Sequence, residues 1–418
     1  MNHCIRKQKN PVIPTAVILC LFVALAVSSC AGDSGVDRAA PPPPLHSDEN
    51  ATPSSGAPSD EPPVQTPEKP SAPPEPEAEL VQYSGAVEHL FFHEVIAWPE
   101  RAFDGDNMQR NYDTNMITVS EYAAILESLY SKGYTLVDLN NVWSEYTDEN
   151  GKQRMRKNTL MLPEGKKPLV LSFDDLSFYT FMSGDGFMER YIIGEDGDVW
   201  AAGVDPNGKT IISQDLTVVT ILDKFVKENP GFSTGGAKGC IALTGYEGIL
   251  GYRTQNVKEN DTQGARLKRM QEIARVRPVV QRLKETGWYF STHSYGHIWI
   301  DNITFDEVRN DALRWLDEVG SLVGETKIFI YPYGSRLDGG DVWNTGPALQ
   351  FYNDHGFRFF ASVGYEPFSR IKPDIPAVML DRMAVDGNAI RNRRATFSRF
   401  FDAAEVFDQS RPNYGVTW

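Results

Sequence analysis

Cysteine is scarce in this chain, with 4 in 418 residues. Cys4, Cys20 and Cys30 all lie in the N-terminal stretch, so Cys240 stands alone in the remainder and a disulfide framework is excluded there. Basic residues are in deficit as well: 41 Lys and Arg face 56 Asp and Glu, a formal net charge of −15. That balance argues against nucleic acid or an anionic membrane surface as a partner, because both demand a basic patch. The apolar stretch Ala16–Val27 is too short to span a bilayer. No internal repeat is visible.

What the N-terminus does have is order in its composition. Arg6, Lys7 and Lys9 precede the Ala16–Val27 stretch, the pattern of a secretory signal. The stretch ends in Val27-Ser-Ser-Cys30, which resembles a bacterial lipobox, with Cys30 as the lipidated N-terminal residue; an ordinary small-residue cleavage site is the alternative. From Ala31 to about Glu79, Pro, Ser, Ala, Glu and Asp dominate and aliphatic residues nearly vanish. Such a segment cannot bury enough apolar surface to offset its ordering entropy, so it is expected to be an extended tether. The predicted organisation is a signal over 1–29, a Pro-rich disordered tether over 30–79 and a folded domain over 80–418.

In the folded part, strands and helices alternate. Strands are predicted at Val87–Val95, Leu136–Leu139, Pro168–Phe173, Gly239–Thr244, Trp288–Thr292, Lys327–Tyr331 and Phe357–Val363. Helices are predicted at Ser120–Lys132 with a Ser cap, Asp215–Glu228, Gln263–Glu285, Thr304–Val319 and Pro347–His355. Alternation implies parallel pairing, and about seven such units imply an α/β fold, a distorted (β/α)7-type barrel. The alternation breaks at about 177–214, where a hairpin around Glu195-Asp-Gly197 is expected beside the site, shaping a groove or merely decorating the periphery.

Three strand ends carry polar or turn chemistry. The run Leu169-Val-Leu-Ser-Phe-Asp-Asp175 ends in two carboxylates, His293-Ser-Tyr-Gly-His297 supplies two imidazoles, and Lys327-Ile-Phe-Ile-Tyr-Pro-Tyr-Gly334 ends in an aromatic turn. One carboxylate with two imidazoles is a facial ligand set for a divalent cation, and the spare carboxylate can take a proton from water. Each half has a plain structural reading too: Asp-Asp as a helix cap, His-x3-His as satisfied loop groups.

Taken together, Asp-Asp, His-x3-His and Tyr-Pro-Tyr-Gly resemble the motifs of the polysaccharide deacetylases of carbohydrate esterase family 4, over about Ser84 to Ala384. The resemblance implies that Asp174 is the general base and that Asp175, His293 and His297 bind one metal ion, Zn²⁺ before Co, Ni, Fe or Mn. It implies that a backbone N–H at Tyr333 holds the oxyanion. The chain departs from the family at three places. Leu176 stands where a Gly is usual, Ile330 or Tyr331 where an Arg orients the base, and no C-terminal Leu-x-His follows Asp386. Arg382, in Met379-Leu-Asp-Arg-Met-Ala-Val385, is the candidate to replace that Arg from a neighbouring strand; a surface pairing with Asp381 or Asp386 is the alternative.

For the missing His, His93 in Leu90-Phe-Phe-His-Glu-Val95 resembles the first-strand acid of the circularly permuted branch that acts on poly-N-acetylglucosamine. His89 lies deeper in the same strand, and His355 looks like a helix-end cap. The resemblance implies a membrane-tethered, extracellular, monomeric hydrolase that removes N-acetyl groups from a polysaccharide, poly-β-1,6-N-acetylglucosamine before peptidoglycan. An O-acetyl esterase on xylan or another acetylated glycan, and a non-catalytic carbohydrate-binding lipoprotein, are the alternatives.

Overall fold

The computed structural model describes residues 79–412 except 259, 338, 340, 342 and 343. The signal, the lipidation site Cys30 and nearly all of the tether lie outside the described residues. No helix among the described residues is long and apolar enough to cross a membrane.

Seven parallel strands close into a barrel: β1 (Glu88–Phe92), β2 (Lys167–Asp174), β3 (Cys240–Leu243), β4 (Tyr289–Thr292), β5 (Ile328–Ile330), β6 (Phe359–Val363) and β7 (Val378–Ala384). Each lies beside the next, and β7 pairs with β1 through Met383–Leu90 to complete the ring. The ring is uneven, because β4 and β5 share the single pairing Thr292–Phe329. The expected distorted (β/α)7 barrel is therefore present.

One stave differs from the sequence reading. Residues 134–136 form a short strand that pairs with the first residues of β2 and bridges Ser233 through Leu136, outside the ring. It stops there because the Asp138 side chain accepts from Asn140 N and starts a helical turn. The seventh stave is instead β7, whose central Asp381 and Arg382 disguise it as surface.

Helices cover the outside of the ring. They include α1 (Val119–Ser131), α2 (Val218–Glu228), α3 (Gln263–Glu285), α4 (Phe305–Trp315), α5 (Pro347–Asp354) and α6 (Gly387–Asn392). The cap of α1 is Thr118, not Ser120: Thr118 and Glu121 close a reciprocal capping box, whereas Ser120 has Ala at the third position after it. After α4 the chain passes through a π turn at Leu316–Gly320, so the predicted helix to Val319 is broken at Trp315. Leu90, Phe92, Leu171, Phe173 and Leu243 face these helices in one apolar cluster. The alternate residues Val170, Cys240, Ala242, Ile330, Ala361 and Leu380 form a second cluster, plugged at the strand starts by Trp143, Met155 and Leu162.

The insertion folds as an antiparallel sheet of Arg190–Ile193, Val199–Val204 and Thr210–Ser213. It packs against α2 and α3. The segment just before it, from Ser177 onward, is the part that stands next to the carboxylate pair.

Candidate active site

The three motifs converge at the C-terminal ends of β2, β4 and β5. Asp175 Oδ2 lies 3.4 Å from His297 Nε2 and 3.9 Å from His293 Nε2, and a donor atom from each of the three residues falls within 4.8 Å of the others. His293 Nδ1 is 2.9 Å from Ile330 O. A carbonyl only accepts, so Nδ1 carries the proton and the Nε2 lone pair faces the carboxylates. Two imidazoles and a carboxylate at these separations fit a divalent cation of the zinc type.

Burial shapes the charges. It would raise Asp175, but His297 and His293 hold that carboxyl far below its usual range. Burial lowers His293 against the pull of Asp174 and Asp175. His297 is lowered by burial as well, yet the Asp175 charge outweighs this and leaves it raised.

The rim loops are strained where they carry these groups. Asp175 (φ 63°), Ser294 (53°), His297 (50°) and Tyr333 (58°) are left-handed without being glycine. Only Phe178 and Leu250 join them among the described non-glycine residues. The turn at Asp175 brings the two carboxylates to the same side, each 3.9 Å from His293 Nε2, where a continuing strand would send them to opposite faces. Leu176, at the departed Gly position, is fully buried and receives Leu250 N at 3.0 Å. The His loop is held from below by Asp311, which accepts from Tyr295 N and Gly296 N.

Arg382 reaches Asp174. It is fully buried, donates Nη1 to Asp174 Oδ1 at 2.8 Å and Nη2 to Oδ2 at 3.0 Å, and also touches Ser172 Oγ at 3.1 Å. It comes from β7 across the intervening β1, with its guanidinium 4.1 Å from the Phe91 ring centroid. The alternative surface pairings fall to other groups: Arg336 binds Asp381, and Asp386 caps α6 through Ala389 N. Asp174 Oδ2 is 3.9 Å from His293 Nε2, which puts this carboxylate beside the three-residue cluster.

His93 is the first residue after β1. Its Nδ1 lies 2.9 Å from Asn115 O and so carries a proton, and the ring is near enough to Asp175 and Asp386 to act on both carboxyls. Burial pushes Asp386 up to about 6, against Ala389 N and His93. His89, four residues earlier, sits 3.0 Å from Ser172 Oγ, and burial with the Arg382 charge holds its pKa well below the ordinary value. His355 ends α5 with Nδ1 on Phe351 O, as expected of a cap. Tyr333 stacks on Trp299 at 4.9 Å and meets His297 edge-on at 4.4 Å.

Sequence reasoning missed Tyr179, Thr244, Tyr246 and Trp299. Aromatic and hydroxyl residues in loops carry no pattern of their own, and the only available signal was proximity: Tyr179 is four residues past Asp175, Trp299 two past His297.

No protein-family model matches the chain, and no curated protein matches it in sequence. Among solved structures, it is similar to a Streptococcus pyogenes deacetylase in complex with acetate, at 14% identity over 74% of this chain and 94% of that one, with a TM-score of 0.39. It is similar to a polysaccharide deacetylase from Bacillus cereus, at 11% identity over 76% and 69%, with a TM-score of 0.37. A CE4 family pseudoenzyme from Bacillus anthracis matches at 11% identity over 43% and 53%, with a TM-score of 0.23.

Proposed function

We propose that this chain is a metal-dependent deacetylase of an N-acetylated polysaccharide, with poly-β-1,6-N-acetylglucosamine as the favoured polymer and peptidoglycan next. The observation that carries the reading is a second buried carboxylate, Asp174, clamped by Arg382 and placed 3.9 Å from the imidazole of a two-His, one-carboxylate cluster. A buried acid beside a second, partly buried one is costly to keep unless both are used.

Asp175, His293 and His297 would hold the cation, Zn²⁺ first. When bound it supplies a Lewis acid that polarises the acetyl carbonyl and acidifies a water. Asp174 accepts the proton of the attacking water, and the Arg382 fork orients its oxygens. The left-handed turn at Tyr333 offers its backbone N–H to the oxyanion, a donor typically worth about 3 kcal/mol. His93, with Nδ1 fixed on Asn115 O, delivers a proton from Nε2 to the departing amine. Localisation follows from the N-terminus: Cys30 is proposed as a lipid anchor at the extracellular face of the cell membrane, with 30–79 as the tether and 80–418 as the catalytic domain. Retained detergent partitioning of a Cys30→Ala variant would remove that anchor.

The test is acetate release by the purified, metal-analysed protein from N-acetylglucosamine oligomers and from acetylxylan. Asp174→Asn should keep its metal and lose about 10² or more in kcat. His93→Ala should lose N-deacetylation and spare an activated ester that needs no proton on its leaving group. Release from acetylxylan alone would make the protein an O-acetyl esterase. Release from neither substrate would make it a binding protein.

A further inference from the structure

The two oxygens of Asp175 are served by different partners. Oδ2 faces the imidazoles of His297 and His293, whereas Oδ1 lies 2.5 Å from the Tyr179 hydroxyl. A metal-binding carboxylate only accepts hydrogen bonds, so the phenol must be the donor. Its oxygen is then free to accept from Thr244 Oγ1, 2.7 Å away, and Ser177 Oγ stands 3.4 Å behind Thr244. All three hydroxyl residues are buried, and because each hydroxyl has a single proton and that of Tyr179 goes to Asp175, Thr244 donates to Tyr179 and Ser177 to Thr244.

The surrounding packing fixes this arrangement. The Tyr179 ring lies parallel to Tyr246 at 5.0 Å and to Phe181 at 5.5 Å. The strained segment that carries it is braced by Arg253, whose guanidinium donates to Ser177 O, Phe178 O and Glu247 O. None of this is needed to bury Tyr179, since a phenylalanine would fill the same slot.

We infer that Tyr179 is a positioning residue for the metal-binding carboxylate. It occupies Oδ1, presents Oδ2 alone to the cation, and leaves the position that a two-oxygen carboxylate would fill open for water and substrate. Thr244 is the residue that keeps the phenol pointing at Asp175. The inference deepens the proposed function and rests on it.

The test is equilibrium Zn²⁺ and Co²⁺ affinity of the full chain, by competition with a chromophoric chelator, which needs no substrate. Tyr179→Phe preserves the ring and its stacking, and should weaken binding by about 10- to 100-fold, the usual effect of removing a partner that orients a ligand. Thr244→Val should weaken it less, in the same direction. In an Asp175→Ala background Tyr179→Phe should have no further effect. Unchanged affinity in Tyr179→Phe, or an equal loss with and without Asp175, overturns the inference while leaving the proposed function in place. A wild-type protein that binds no divalent cation overturns both.

Discussion

The two ends of the barrel handle charge and space in opposite ways. At the strand starts a cavity of about 1230 Å³ opens between Trp143, Trp288, Phe359, Lys327 and Arg358. Its charges are part-exposed and already neutralised, with Glu145 taking Lys327 Nζ at 2.8 Å and Arg358 Nε at 2.6 Å. At the strand ends Asp174, His293 and Arg382 are buried together with Asp175 partly buried beside them, and the backbone around them is left-handed at four motif residues. None of the candidate site residues lines the cavity at the strand starts. Buried charge that only a ligand or a reaction can use, held by strained backbone, is the better guide.

The comparison is most exposed at Arg382. Removing one partner of a buried ion pair strands the other, so Arg382→Met should destabilise the fold by about 3–5 kcal/mol in denaturant titration at neutral pH. Most of that loss should vanish when Asp174→Asn is added. A loss below about 1 kcal/mol would place this pair in the same class as surface ion pairs and erase the contrast between the ends.

Glu94, next to His93, gives a pH test of the same burial. Its carboxyl is pushed up to about 7 by burial, although Tyr191 Oη, Val218 N and Val95 N all donate to it. A carboxyl raised in the folded state favours folding fully below its unfolded pKa, near 4.5, and loses that contribution as pH rises through 7. Stability should thus fall by about 3 kcal/mol across that window, and Glu94→Gln should flatten the slope. A wild-type profile already flat from pH 5 to 7 would contradict the assignment.

The smallest effect is expected at the other end. Glu145→Gln removes a part-exposed acid from two cations and should cost less than about 1 kcal/mol while leaving acetate release unchanged. A drop in turnover there would mean that the strand-start cavity takes part in function.

Much of this architecture was legible before the structure. The bounds of α3, Gln263–Glu285, coincide with the sequence reading, and six of the seven staves overlap predicted strands. The Asp-Asp, His-x3-His and Tyr-Pro-Tyr-Gly residues were placed at strand ends, and His93 beside them. The stave that was missed, Val378–Ala384, hides because its interior position is filled by an arginine. Hydrophobic alternation cannot register a charge that is neutralised by a residue 208 positions away. Tyr179 and Trp299 were missed because a loop residue's role depends on what folds against it.

The sequence by itself determined the set of reactive groups and the elements that carry them, because strand alternation, capping boxes and turn residues act between neighbours a few positions apart. Only the tertiary structure decided which partner each group has. Arg382 crosses β1 to clamp Asp174, Tyr179 takes one oxygen of Asp175 and leaves the other to the imidazoles, and His293 gives its Nδ1 proton to Ile330 O. These contacts form where closure of the ring excludes water and makes an unpaired charge too costly to tolerate, a condition set by the whole barrel and by no local stretch of chain.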